Sequence, residues 1–234
     1  MLMSNLSKVL LLFGAGPGVG RGITQVFTSQ GYRVALASRK PNAELEVDGV
    51  NRVHIPCDLS DPSSVTAVFA KTKELLGIPS VVVYNAYAAN PINYQDPFSV
   101  SVEEFNLHLN VNTTSVYAAA FQARDCFAEL PASAPRTFIY TGNMLNNGPQ
   151  VPLLTLGVGK TAAAHLIEYL ATSLPFTGFK FYYADQRKYD GSPMYRGLDG
   201  EAHGKFYLEL AEGEVSQGLW YQTFVKGIGY KKFD

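Results

Sequence analysis

Residues 157–161 read GVGKT, the letters that close a triphosphate-binding loop, in which backbone amides and a lysine hold phosphates. Such a loop also needs a glycine five residues before Gly159, and position 154 is Leu. Its lysine should follow a strand and open the phosphate helix. That arrangement occurs elsewhere, at Gly14-Ala15-Gly16-Pro17-Gly18-Val19-Gly20, directly after the apolar run KVLLLF. Glycines there permit positive φ, close backbone approach and tight strand–helix packing. The following helix N-terminus offers free N–H groups and the positive end of a dipole to a pyrophosphate. The chemistry indicated is dinucleotide binding, which leaves Lys160 for another role.

The second apolar run ends Ala37-Ser38-Arg39-Lys40. A site for an unphosphorylated ribose places an acid here to take the 2′-OH. Serine and two cations fit a ribose 2′-phosphate, paired by Arg39 with Lys40 adding charge. The residues therefore favour NADP(H) over NAD(H), against the plainer reading of an exposed basic turn. Asp185 falls at the expected carboxyl end of a strand, where ligands bind in open α/β sheets. It is a candidate acid or substrate contact, against the plainer reading, which the residue type favours, of a salt bridge or turn cap.

These residues need a scaffold, and the chain supplies one. Apolar strands at 8–13, 33–38, 52–57, 79–84, 136–141 and 179–184 alternate with helices near 18–30, 62–76, 101 into the 120s, and 160–172. Asp61 and Pro62 read as N-cap and first helical residue, and Ser101 with Glu104 has capping-box spacing. Continuous apolar strands between helices predict a parallel sheet covered on both faces. The tail from Gln186 is rich in Gly, Tyr and charge, with a short helix at 201–211 and a last strand at 221–226 expected. Residues 189–205 could form a lid or a dimer contact.

Composition bounds the rest. With 234 residues, 47% hydrophobic, the chain can bury a sizeable core. A net charge of −1 gives no reason to expect a nucleic acid or an anionic membrane, and no apolar run is long enough to span a bilayer. The start, MLMSNLSKVLLLF, is a poor signal peptide and a good first strand. Cys57 and Cys126 lack metal-ligand spacing and read as reduced core thiols of a cytoplasmic protein, which leaves the Asn112-Thr113-Thr114 sequon unused.

In this order, the pieces resemble the short-chain dehydrogenase/reductase family over residues 8 to about 175. The family's T-G-x-x-x-G-x-G turn matches residues 13–20, with Phe13 replacing Thr. Its adenine-contacting Asp-Leu pair matches Asp58 and Leu59, and its N-A-G motif matches Asn85-Ala86-Tyr87, with the glycine lost. Its helix asparagine matches Asn112. Its Tyr-x-x-x-Lys motif falls on Leu156 to Lys160, so the resemblance gives Lys160 the nicotinamide ribose hydroxyls. The family tyrosine that protonates a carbonyl is Leu156 here, and the family serine that polarises it is Asn143. Asn143 can donate a hydrogen bond but cannot transfer a proton at neutral pH. The family's Pro-Gly loop after the sixth strand is replaced by Tyr182 to Arg187.

The resemblance thus implies one Rossmann-type, doubly wound α/β domain of about seven strands over residues 1–234, with 186–234 divergent. It also implies a cofactor site at Gly14, Gly16, Gly18, Val19, Gly20, Ser38, Arg39, Lys40, Asp58, Leu59, Asn85, Ala86 and Lys160. Lys160, Asn112, Asn143 and Asp185 form the expected catalytic set. Water, Asp185 or one of Tyr84, Tyr87, Tyr94 and Tyr140 would supply the missing proton. The expected activity is NADP(H)-dependent oxidation or reduction of a small carbonyl, alcohol or imine. The alternative is a non-redox protein that keeps the dinucleotide, either as a regulator or as a lyase, cyclase or isomerase. Family members pair through two long helices, here about 101–128 and 157–173, so a homo-dimer or homo-tetramer is expected. The four histidines show no metal spacing, and no metal is expected.

Overall fold

The structure, a computed structural model, describes residues 8–41, 45, 48–174, 177–213 and 216–233. Strands β1 (Val9–Phe13), β2 (Arg33–Ser38), β3 (Arg52–Pro56), β4 (Val81–Tyr84), β5 (Thr137–Thr141), β6 (Lys180–Arg187), β7 (Tyr221–Val225) and β8 (Gly229–Tyr230) form a single sheet. Its order is β3-β2-β1-β4-β5-β6-β7-β8. All neighbouring pairs are parallel except the short antiparallel return of β8 on β7. The chain moves outward from β1 to β3, then crosses back to lay β4 beside β1. That reversal opens a crevice at the carboxyl ends of β1 and β4.

Strand β1 shows why both faces are apolar. Val9, Leu11 and Phe13 face one core, and Leu10 and Leu12 the other. The first core is covered by α2 (Ser64–Leu76), α4 (Ser115–Glu129) and α5 (Leu154–Ser173). The second is covered by α1 (Val19–Ser29) and α6 (Gly200–Glu212). One helix, α3 (Val102–Leu109), leads through a π-turn at Asn110–Thr114 into α4. Ser101 caps α3 as its spacing predicts, with Oγ accepting from Glu104 N at 3.1 Å.

Two departures from the sequence reading have physical causes. Helix α2 begins at Ser64, because Asp61 Oδ1 accepts from Ser63 N at 3.0 Å and closes a turn ahead of the helix. Strand β6 continues three residues past Ala184, because Asp185, Gln186 and Arg187 pair in register with Thr223, Phe224 and Val225. The sheet agrees with the expected count of about seven strands, the two-residue β8 making an eighth. Residues 200–212 form the helix expected at 201–211.

Helices α1 and α6 meet through glycine. A Cβ on Gly22 would lie 2.0 Å from the Gly200 carbonyl carbon, and one on Gly204 would lie 2.8 Å from Val26 Cγ2. Gly22→Ala should therefore cost about 1–3 kcal/mol through overpacking. The lost backbone approach outweighs the better helix propensity of alanine, about 1 kcal/mol. Thermal denaturation checks this. A raised Tm would show that the two helices are not packed this closely.

Candidate active site

The crevice holds two adjoining cavities. One, of about 1190 Å³, runs along Gly14 to Pro17, Ser38 to Pro41, Asp58 to Ser60, and Asn85 to Asn90. The other, of about 870 Å³, lies over the ends of β5 and β6 and is walled by Leu156, Lys160, Asn143, Asp185 and Met194. Gly16, Pro17, Asn85, Tyr87 and Ala89 line both, so the cleft is continuous.

The glycine turn is shaped by what it excludes. Gly14 has φ +91°, and a Cβ there would meet Ala86 N at 2.5 Å. A Cβ on Gly20 would lie 2.7 Å from Gly14 O. Gly16 and Gly18 face open space, with nothing within 4 Å of an added Cβ. No side chain caps α1 and no acid sits in its first turn, so its positive end is open to an anion. Asn85 Nδ2 donates to Gly14 O at 2.8 Å, tying the end of β4 to the turn.

The basic corner is exposed. Ser38 Oγ donates to Lys40 O at 2.7 Å, and Arg39 and Lys40 extend along the larger cavity. Opposite them, Asp58 Oδ1 accepts from Ser60 N at 3.0 Å and from Ser60 Oγ at 2.8 Å. These bonds, with a smaller contribution from the Arg39 charge, hold its carboxyl below the ordinary range. Leu59 is buried beside it.

Lys160 lies within α5, so GVGKT is helix rather than loop; Gly157 N already bonds Leu153 O at 2.8 Å. The Lys160 amine is almost sealed. It donates to Thr141 O at 2.6 Å and sits 4.3 Å above the Tyr140 ring. Burial pulls its pKa from 10.5 to about 7, with Asp185 pushing the other way. Leu156 stands one turn earlier on the same cavity wall.

Asp185 and Arg187 are each 3% exposed and are linked Oδ2 to Nε at 2.5 Å. Arg187 also donates to Gly191 O at 3.0 Å and to Tyr221 Oη at 2.7 Å. Burial raises the Asp185 carboxyl, and Arg187 opposes that rise. Asn143 caps the turn Met144–Asn146 through Oδ1 and brackets the Tyr183 hydroxyl with its own N–H and C=O. Among the described residues its Nδ2 has no partner, and the residue lines the smaller cavity.

The remaining expected residues scatter. Asn112 is fully buried and bonds Ala88 with both amide atoms, Oδ1 from N at 2.9 Å and Nδ2 to O at 2.7 Å. It braces the loop after β4 and does not reach either cavity. Tyr84 and Tyr140 are core residues with no exposed surface, and Tyr94 projects into solvent away from both cavities. Of the four tyrosines only Tyr87 stands on the cleft wall. His165 lies on the exposed face of α5. Cys57 and Cys126 are free and buried. The sequence reading missed Gln186 and Tyr195, which both line the smaller cavity, and the Arg187–Tyr221 support of Asp185. Three polar residues ending an otherwise apolar strand were the available signal.

A family model described as enoyl-(acyl carrier protein) reductase matches residues 14–180. Short chain dehydrogenase/reductase dmxR12 of Cryptosporiopsis sp. (strain 8999) is 43% identical over 238 residues, covering 97% of this chain and 95% of that protein. Versicolorin reductase stcU of Emericella nidulans is 28% identical over 130 residues, covering 53% of this chain and 47% of that one. Among solved structures, 3-ketoacyl-(acyl-carrier-protein) reductase from Brucella melitensis, complexed with NADH, superposes with a TM-score of 0.79. It is 20% identical, and 95% of this chain and 98% of that one are covered.

The buried amine should be visible in the pH dependence of stability. Its folded pKa lies below its unfolded one, so the unfolded chain binds the extra proton between about pH 7 and pH 10.5. The cost of burying the charge is full below pH 7 and is relieved as pH rises. Against Lys160→Met, the wild type should therefore gain relative stability between those limits. Paired thermal melts across that range test this, and a flat difference would mean the amine is solvated.

Proposed function

The chain belongs to the short-chain dehydrogenase/reductase family, and from that premise we propose an NADP(H)-dependent oxidoreductase acting on a small carbonyl, alcohol or imine. The observation that carries the reading is the continuous cleft, with an open glycine turn and two cations at one end and Lys160 at the other. The residues present fit the dinucleotide, since the turn leaves clear space where an added Cβ on Gly16 or Gly18 meets nothing. When bound, the cofactor supplies or accepts the hydride.

Each residue then has a role. The backbone at Gly14, Gly16, Gly18, Val19 and Gly20 takes the pyrophosphate. Arg39 and Lys40, beside Ser38, pair a 2′-phosphate. Asp58, Leu59, Asn85 and Ala86 bound the adenosine. Lys160 holds the nicotinamide ribose hydroxyls, and Asn112 acts as a positioning residue through Ala88. Asn143 offers its free N–H₂ to the acceptor oxygen. Leu156 cannot protonate that oxygen, so the proton comes from water, Asp185 or a cleft tyrosine, with Tyr87 and Tyr195 on the wall. The reading includes a cytoplasmic homo-oligomer, and exposed Tyr117, Phe121 and Tyr169 on α4 and α5 offer an apolar surface for its self-association. No helix among the described residues is long and apolar enough to cross a membrane.

Leu156 also favours a second reading, in which the dinucleotide is kept and no hydride is transferred. Measuring NADPH binding and NADPH consumption together separates the two. Tight binding without turnover across carbonyls and imines would favour the non-redox protein.

Arg39→Ala should weaken NADPH about 10- to 100-fold by calorimetry, the worth of one charge-assisted contact, and leave NADH within about 3-fold. Equal loss for both cofactors would remove the 2′-phosphate assignment. Leu156→Tyr with Asn143→Ser should raise simple ketone reduction at least about 100-fold if only the acid is missing. No gain would mean that the cavity itself has diverged.

A further inference from the structure

The smaller cavity contains one feature that cofactor binding does not use. Of the two Asp185 carboxylate oxygens, Oδ2 is taken by Arg187 Nε at 2.5 Å and by the Tyr221 hydroxyl at 3.3 Å. Oδ1 has no hydrogen-bond partner among the described residues. It is also absent from the polar atoms sealed in the interior without one, so it faces the cavity that Asp185 lines. Arg187 cannot turn to serve it, because its other nitrogens are held by Gly191 O and Tyr221. The carboxylate is therefore fixed from behind, with one acceptor aimed into a space walled by apolar groups such as Met144, Leu156 and Met194 and by polar ones such as Asn143, Gln186 and Tyr195.

We propose that Asp185 is a substrate-specificity residue: Oδ1 accepts a hydrogen bond from a hydroxyl group, so the protein takes hydroxylated carbonyl compounds, phenols or enols in preference to their deoxy and O-methyl counterparts. An ionised carboxylate can only accept, so its partner must be a donor. Charge selects among donors. Arg187 neutralises Asp185 at contact distance, and Lys160, when protonated, adds a second nearby cation. An ammonium substrate would bring a third, whereas a neutral or acidic hydroxyl is unopposed. A buried acceptor left without a donor is costly, so a ligand lacking the hydroxyl loses more than one contact.

The inference deepens the oxidoreductase reading, and its test separates the two. Ortho- and meta-hydroxyacetophenone, acetophenone and ortho-methoxyacetophenone are assayed for NADPH-dependent reduction and, separately, titrated calorimetrically into the protein with NADP⁺ present. The wild type should prefer a hydroxy ketone over acetophenone by about 100-fold in kcat/KM and in affinity. In D185N the ratio should fall below about 3-fold in both readouts, whatever the absolute rate of the variant. The double variant D185N/R187M removes both charges together, so no buried charge is orphaned if D185N folds poorly. Binding discrimination that D185N erases, without any turnover, keeps the role of Asp185 and removes the reductase reading. Turnover without hydroxyl discrimination does the reverse. Equal affinity for all four compounds, no affinity for either hydroxy ketone, or unchanged discrimination in the variants overturns the proposal.

Discussion

The cleft is organised around a buried ammonium group. Lys160 can leave water only because the interior offers it a carbonyl, an aromatic face and a neighbouring carboxylate in place of hydration. Thr141 O, the Tyr140 ring and Asp185 supply these, and they come from two adjacent strands. The positions of β5 and β6 are thus coupled to a helix residue above them. Asp185 in turn draws in Arg187, and Arg187 draws in Tyr221, so one charge removed from solvent propagates across β6 to β7.

Beneath that network runs a row of rings. Phe13, Tyr84, Tyr140 and Tyr183 occupy matched positions on β1, β4, β5 and β6, with successive centroids 5.6, 5.9 and 5.5 Å apart. Parallel strands put equivalent residues side by side, so one aromatic position per strand yields a floor. Gly142 lies against this floor, since a Cβ there would be 2.1 Å from the Tyr183 ring. The backbone can therefore descend to present Asn143 to the cavity.

Local signals carried much of this in the sequence. Apolar runs bounded by glycine gave the strands, and the turn at 14–20 gave the binding end of the sheet. Those features arise from nearest neighbours, so they can be read along the chain. Others could not. The hydroxyls of Tyr84 and Tyr183 are turned inward to backbone oxygens of Val111 and Asn143, which come from distant segments. The π-turn at Asn110–Thr114, which lets Asn112 clasp Ala88, depends on a loop more than twenty residues earlier. Asp185 ended the expected strand because polar residues usually do. Only the pairing with β7, set by the tail, carries β6 onward.

The row of rings does not stop at Tyr183. Trp220, the sole tryptophan of the chain, stacks on Tyr221 at 5.4 Å and meets Tyr183 edge-on at 6.3 Å. Excitation absorbed anywhere along the tyrosines can pass down the series and emerge as indole emission. Because Tyr221 also touches the Arg187–Asp185 pair, anything that disturbs the cavity should alter the surroundings of that fluorophore. The molecule thus carries its own optical gauge of an occupied or empty cleft, with no external label needed.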